Sequence, residues 1–284
     1  MLIGFPWWLI VIIGSLILTI RNSFGKNVAP LASAYTITFC RFFFSALFGV
    51  PFFIYLSITN IIKPHLTNDV WFYLIMNTAL QVPASILIFN AFRKGRFGII
   101  TVFSKTVILF ALINGMLFFG EYPSVQALIG MVIAMTGLFW LHIKEENKNI
   151  QEFFFMQKIP TEIISIIFGS FLLSFANFFA KLASMRTDVM TTSVCMFLLN
   201  ILCILLLAFP SIKKDTPHIV THWKEFLLFG FFAFLTTVIY IYAFSIAPIA
   251  YVEMVTQIEV VFGGLIAYWY FKEKSIRKRI PQIL

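Results

Sequence analysis

Arg41, Lys105 and Glu253 are ionisable side chains set deep inside apolar runs of this sequence. A charge in hydrocarbon costs on the order of 3 kcal/mol even on the gentlest scale, so such residues must face protein or water. Arg41 lies about ten residues into its run, too deep for easy snorkelling. Its planar fork of donors suits a carboxylate or phosphate; a structural ion pair is the competing reading. Lys105 has Thr101 one turn before it, and Glu253 has Gln257 one turn after it, each pair on one helical face. Opposite charges at related depths predict an ion pair between Lys105 and Glu253. Alternatively that pair opens for a substrate, or Glu253 titrates in a proton-coupled cycle. Glu259 projects about 120° from Glu253 and is expected to face a different neighbour.

Uncharged polar residues form further stripes. Ser15, Thr19, Asn22 and Lys26 share one helical face, and Ser170, Ser174, Asn177 and Lys181 repeat it. Asn77, Gln81 and Ser85 form a third stripe at i, i+4, i+8. Pore lining competes there with interhelical hydrogen bonding, and for the two lysines with snorkelling to headgroups. The substrate-pathway candidates are therefore Arg41, Lys105, Glu253, Gln257, Asn22, Asn177, Asn77 and Gln81. Arg21, whose counterpart in the second stripe is Ala176, has the weakest claim to the interior. Glu121 and Glu273 fall at matched helix ends near the water boundary and read as topology and capping residues. His218 and His222 are i, i+4 but are expected in a loop, without the Glu of a zinc-protease motif. The sequence offers no nucleophile beside a base, no phosphate loop and no metal cluster, so no catalytic residue, metal or cofactor is expected.

The elements that carry these residues follow from composition. The chain is 60% hydrophobic and 12% charged, where a soluble domain would carry about 25% charged residues. Its mean hydropathy is +0.93. Apolar runs near 20 residues recur throughout, which predicts membrane-spanning helices at about 5–28, 31–57, 70–92, 97–119, 123–142, 160–183, 188–210, 224–246 and 248–271. The first run lacks a basic leader and a cleavage site, so it reads as a transmembrane helix. Pro83 is expected to kink a helix interior. The net charge of +9 does not imply nucleic acid, because the basic residues lie in short loops, where topology signals belong. Cys40, Cys195 and Cys203 lie within apolar runs and suggest neither disulfides nor a zinc site.

A polar link at 143–159 divides the chain, and the two sides repeat. "SLILTIRNSFGK" (15–26) aligns with "SFLLSFANFFAK" (170–181) at an offset of 155. "AFRKGRFG" (91–98) aligns with "AFSIAPIA" (243–250), and "FFGEY" (118–122) with "YFKEK" (270–274), at an offset of 152. The expected domains are a first five-helix repeat at 1–142, the linker at 143–159, and a second repeat at 160–284, ending after its fourth helix. An odd number of helices per repeat inverts the second copy in the membrane, the architecture of many secondary transporters. The fold class expected is all-α: a polytopic membrane bundle of two inverted five-helix repeats with the tenth helix missing. Most loop Lys and Arg follow helices three, five, seven and nine, while the other loops hold only Lys63 and Arg186, which places the N-terminus outside.

"RFFFSALF" (41–48), "FFGE" (118–121) and "QIEVVFGGLIAYWYFKE" (257–273), with the two repeats, resemble the EamA-type transporters of the drug/metabolite transporter superfamily. "FCRFFFSALFGVPFF" (39–53) is similar to the S-adenosylmethionine carrier branch. The resemblance implies ten helices in two inverted repeats, often drawn with a cytoplasmic N-terminus, and a Glu at the position of Glu259. It implies transport of a small metabolite such as an amino acid, a nucleotide derivative or S-adenosylmethionine. The function expected is a multi-pass secondary transporter of a bacterial inner (plasma) membrane, with the lipid bilayer and a small-molecule substrate as its partners. A truncated, non-transporting bundle and an intramembrane enzyme are the alternatives; the second would need a catalytic constellation.

Overall fold

A Ser or Asp followed by a long apolar run starts helices here in the usual way. Ser33 and Asp188 accept from the backbone N–H groups of Thr36 and Thr191 at the heads of two helices. The computed structural model describes residues 6–94, 100, 103–145 and 160–269. These form α1 (Trp7–Val28), α2 (Ala34–Ile58), α3 (Asn68–Lys94) and α4 (Val107–Asn114, continued by a π-helical turn Gly115–Phe119). There follow α5 (Val125–Glu145), α6 (Thr161–Arg186), α7 (Val189–Thr221) and α8 (Trp223–Ile246). The last, α9, is helical at Ile249–Val255, tightens to a 3-10 turn at Thr256–Ile258, and resumes at Glu259–Trp269. No strand occurs among the described residues. Among the described residues six helices, α1, α2, α3, α6, α7 and α8, are long and apolar enough to cross a membrane.

The two repeats pack through each other's elements. Asp69 lies 3.9 Å from Arg186, Asn77 donates to the Ala176 carbonyl at 2.7 Å, and Gly169 meets Ala84, so α3 and α6 run antiparallel. The same holds for α1 and α8, where Gly14 meets Ile239, Ser15 bonds Tyr240 and Gly25 meets Phe229. Gly14 and Gly169 are 155 residues apart, as are Ala84 and Ile239. One close contact is thus built twice, once by each repeat's first helix on the other's third. A Cβ at Gly14 would come within 2.8 Å of Ile239 Cγ2, and one at Gly169 within 2.9 Å of Ile88 Cγ1. The second helices, α2 and α7, share a core of Phe42, Ala46, Val194 and Phe197.

Three expectations are corrected. α7 does not stop at Pro210 but continues to Thr221 with Pro210 and Pro217 inside it. Asp215 on this extension accepts from Ser33 N and Thr36 Oγ1, both at 2.7 Å, and so caps α2. His218 consequently sits in the last turn of α7 and His222 at its end, not in a loop. Helices four and nine, expected continuous, are both interrupted. Residues 105 and 106 form a turn before α4, and Thr256–Ile258 interrupt α9. Those breaks match, because Lys105 and Gln257 are 152 apart, the offset of the repeat. Neither has Pro or Gly; instead side chains compete for main-chain carbonyls, Thr106 for Phe103 and Thr256 for Val252, both at 2.7 Å. Pro83 lies within α3, which stays helical from Asn68 to Lys94.

Among the described glycines the closest approach is at Gly230 of α8, where a Cβ would lie 2.1 Å from Phe44 Cβ and 3.0 Å from the Phe44 main chain. Those atoms are held by the α2 backbone and cannot swing aside. Gly230→Ala is expected to destabilise the bundle by about 1–3 kcal/mol through overpacking. Thermal unfolding of the purified protein in detergent measures this, and an unchanged midpoint would show that the contact is not as tight as described.

Candidate functional site

Between the two repeats lies a cavity of about 680 Å³, within the range of small-molecule sites. Its wall follows the internal repeat. Asn22 and Asn177 both line it, as do Arg41 and Met196, Phe42 and Phe197, Ser85 and Tyr240, and Phe89 and Phe244, each pair 155 apart. Lys105 and Gln257, 152 apart, line it from the two matched helix breaks. Irregular backbone at membrane depth is tolerated where it faces such a cavity.

The frame is symmetric but its charge is not. Arg21, Arg41 and Lys105 come from the first repeat, Glu253 and Glu259 from the second. Lys105 is ion-paired with Glu259, not with Glu253 as expected. The break in α9 explains the exchange. Six residues of α-helix would set the two glutamates about 120° apart. A 3-10 turn winds about 120° per residue, which narrows this to about 60°. Glu259 is thereby brought round to the cavity, while Glu253 accepts from Asn177 Nδ2 at 2.9 Å. Gln257 turns its amide N–H onto the Glu253 carbonyl at 2.9 Å, leaving its Oε1 buried without a partner among the described residues.

Arg41 reaches Ser85 Oγ at 3.4 Å and lies over the Phe42 ring at 5.3 Å. Arg21, given the weakest claim by the sequence, is a cavity residue; its Nη2 donates to Asn22 Oδ1 at 2.8 Å. Among the described residues no carboxylate is within ion-pair distance of either guanidinium. Gln81 also lines the cavity, but Asn77, from the same stripe, does not. Fully buried Asn77 spends its amide on Ala176 of α6, because α3 leans onto α6 at that level. Ser15 and Thr19 bond back to carbonyls four residues earlier, at 2.8 Å each, and serve packing. The side chain of Lys26, Thr101 and Glu273 lie outside the described residues.

Asn200 is a wall residue that sequence reasoning missed. It lines the cavity from α7, is 1% exposed, and neither polar atom of its side chain has a hydrogen-bond partner among the described residues. A lone Asn inside the run "FLLNILCILLL" was the available signal. Tyr240, the partner of Ser85 in the repeat, gave none, since its ring suits an apolar run.

The cavity reaches the surface on one side. At the end formed by the C-terminal ends of α1 and α3, its wall includes the exposed Pro30 and Arg93. Outside the cavity wall, toward the C-terminal end of α6, Lys181, 5% exposed, donates to Glu121 Oε1 at 2.5 Å and to the Ala247 carbonyl at 3.2 Å, over the Phe119 ring. Gly120, at φ 62°, ends the π-helical turn in the left-handed conformation that glycine adopts without strain. That reversal turns Glu121 back onto α6, so Glu121 is an ion-pair partner and not the capping residue expected. Among the described residues no group of His, Cys, Asp and Glu could hold a metal ion.

Lys105 and Glu259 are expected to be energetically coupled. Lys105→Met and Glu259→Gln should each lower the unfolding midpoint, and the double variant should lose less than the sum, a coupling of about 1–3 kcal/mol. A thermal double-mutant cycle in detergent measures it; strict additivity would mean the pair contributes nothing.

Known proteins support this architecture. A crystal structure of a protein with 8% sequence identity matches over 98% of this chain and 92% of that chain, with a TM-score of 0.66, a likeness of fold alone. No curated protein matches the chain. The EamA-like transporter family model matches it twice, over residues 5–143 and again over 160–280. With most of the sequence covered by two consecutive matches, this multi-pass membrane protein belongs to the EamA-like transporter family.

Proposed function

We propose that the chain is a secondary transporter of a small metabolite, of the amino acid, nucleotide derivative or S-adenosylmethionine type, working by alternating access in a bacterial inner membrane. The observation that carries this is the cavity wall, to which the two repeats contribute residues at a constant sequence offset. A site shared between inverted repeats can be exposed to either side by rocking one repeat on the other. The rocking units are residues 1–142 and 160–284, joined by the link at 143–159. Arg41, Lys105, Glu253, Gln257, Asn22, Asn177 and Gln81 are the pathway residues, joined by Arg21 and Asn200.

Two further features support the reading. The matched breaks at Lys105 and Gln257 put short, tightly wound turns against the cavity, where 3-10 segments act as hinges. The Lys181–Glu121 pair acts as the closure of one end, with the cavity reaching the surface at the other. Opening the closed end then requires separating a largely buried ion pair, which is unfavourable unless another contact compensates. The scheme is bistable in the sense that switching demands.

Uptake into vesicles containing the purified chain tests transport, and no flux for any metabolite class would overturn the reading. Asn200→Leu separates function from structure. Replacing an unpartnered buried amide by an apolar side chain should leave stability unchanged or raise it by about 1 kcal/mol, while uptake falls. If uptake stays at the parent level, Asn200 is no part of the pathway. For the closure, a cysteine at Thr237 in a background lacking Cys40, Cys195 and Cys203 reports access. Lys181→Met and Glu121→Gln should each speed its labelling from the Lys181 side by an impermeant thiol reagent. Equal labelling with and without the ion pair would show that something else closes that end.

A further inference from the structure

The charges that the cavity leaves without counter-ions select among the substrate types just named, and the selection rests on that transporter reading. Its wall carries four cationic side chains, Arg21, Arg41, Arg93 and Lys105, against two carboxylates, Glu253 and Glu259. Lys105 and Glu259 are ion-paired through Oε1, and Glu259 Oε2 has no hydrogen-bond partner among the described residues. Glu253 has the amide of Asn177. Arg21 has only the neutral oxygen of Asn22, and Arg41 only a long contact to Ser85 and the face of Phe42. Both guanidiniums line this one cavity. Like charges lining one cavity repel, and an anion between them removes that repulsion.

We propose that Arg21 and Arg41 together seat an oxyanion of the substrate, a carboxylate or phosphate, and that the cavity takes compounds of zero or negative net charge. Guanidinium presents parallel N–H donors that match two oxygens of either group. Glu253 faces the same space with its second oxygen available for a donor, so a zwitterion or a hydroxylated anion meets complementary charge at both ends. The unpartnered Oε1 of Gln257 and the amide of Asn200 supply further polar contacts. S-adenosylmethionine, with a sulfonium and an ammonium against one carboxylate, has the wrong net sign for this wall. The asymmetry between repeats gives the arrangement its direction: Arg41 is matched by Met196 and Arg21 by Ala176, so only one repeat holds an anion.

The test is competition for uptake, and for binding by the purified full-length chain, among a neutral amino acid, an acidic amino acid, a ribonucleoside monophosphate and S-adenosylmethionine. The expected result is binding of one or more of the first three, with S-adenosylmethionine at least about tenfold weaker. The amino acid and monophosphate arms distinguish carboxylate from phosphate. Methyl esterification of the bound compound should abolish its binding. Arg41→Gln and Arg21→Gln should each weaken it about tenfold or more. Arg41→Lys, which keeps the charge and loses the fork, should fall between Arg41→Gln and the parent. Glu253→Gln should weaken an amino acid more than its deaminated analogue. Tight transport of S-adenosylmethionine that is indifferent to Arg41→Gln and Arg21→Gln would overturn the charge assignment and leave the transporter reading standing. Absence of flux and binding for all four compounds would overturn both.

Discussion

An ionised side chain in hydrocarbon must find a counter-charge, a hydrogen-bonding partner or a polar cavity, and this bundle is arranged around seven that lie between its helices. Lys105 has Glu259, Lys181 has Glu121, and Glu253 has Asn177. Arg21 and Arg41 face the cavity. Both ion pairs join one repeat to the other, since the first repeat's Lys105 and Glu121 meet Glu259 and Lys181 of the second. The interface between repeats is therefore held by electrostatics inside an apolar frame. Removing one partner would strand the other where neither water nor lipid solvates it well.

The apolar frame lets those charges meet. Gly14 and Gly169 allow each repeat's first helix to press against the third helix of the other, and Gly230 does the same for α8 against α2. Where small residues let backbones approach closely, membrane helices gain dispersion contacts that lipid would not replace.

Symmetry of frame and asymmetry of chemistry coexist because they reside in different atoms. Backbone positions repeat at offsets of 155 and 152, so the cavity wall is doubled. Side chains at matched positions differ in charge, so one wall is cationic and the other anionic. The matched breaks in helices four and nine are where the two properties join. Each puts a polar side chain, Lys105 or Gln257, on a turn whose winding departs from that of its helix.

The sequence by itself determined the helical class, the repeat and most of the polar wall. All three follow from local chemistry: a run of about 20 apolar residues can satisfy its backbone in lipid only as a helix. A charge within it can only face inward. The positions of Asn22, Asn177, Arg41 and Gln81 on their helical faces were legible for that reason. Tertiary structure decided the partners. Lys105 went to Glu259 because a 3-10 turn with no Pro or Gly changed the phase of α9. Asn77 left its stripe for α6, and Arg21, dismissed for lacking a twin, entered the cavity. Periodicity is a property of one helix, whereas the phase after a break and the neighbour across a gap are set by helices far away in the chain.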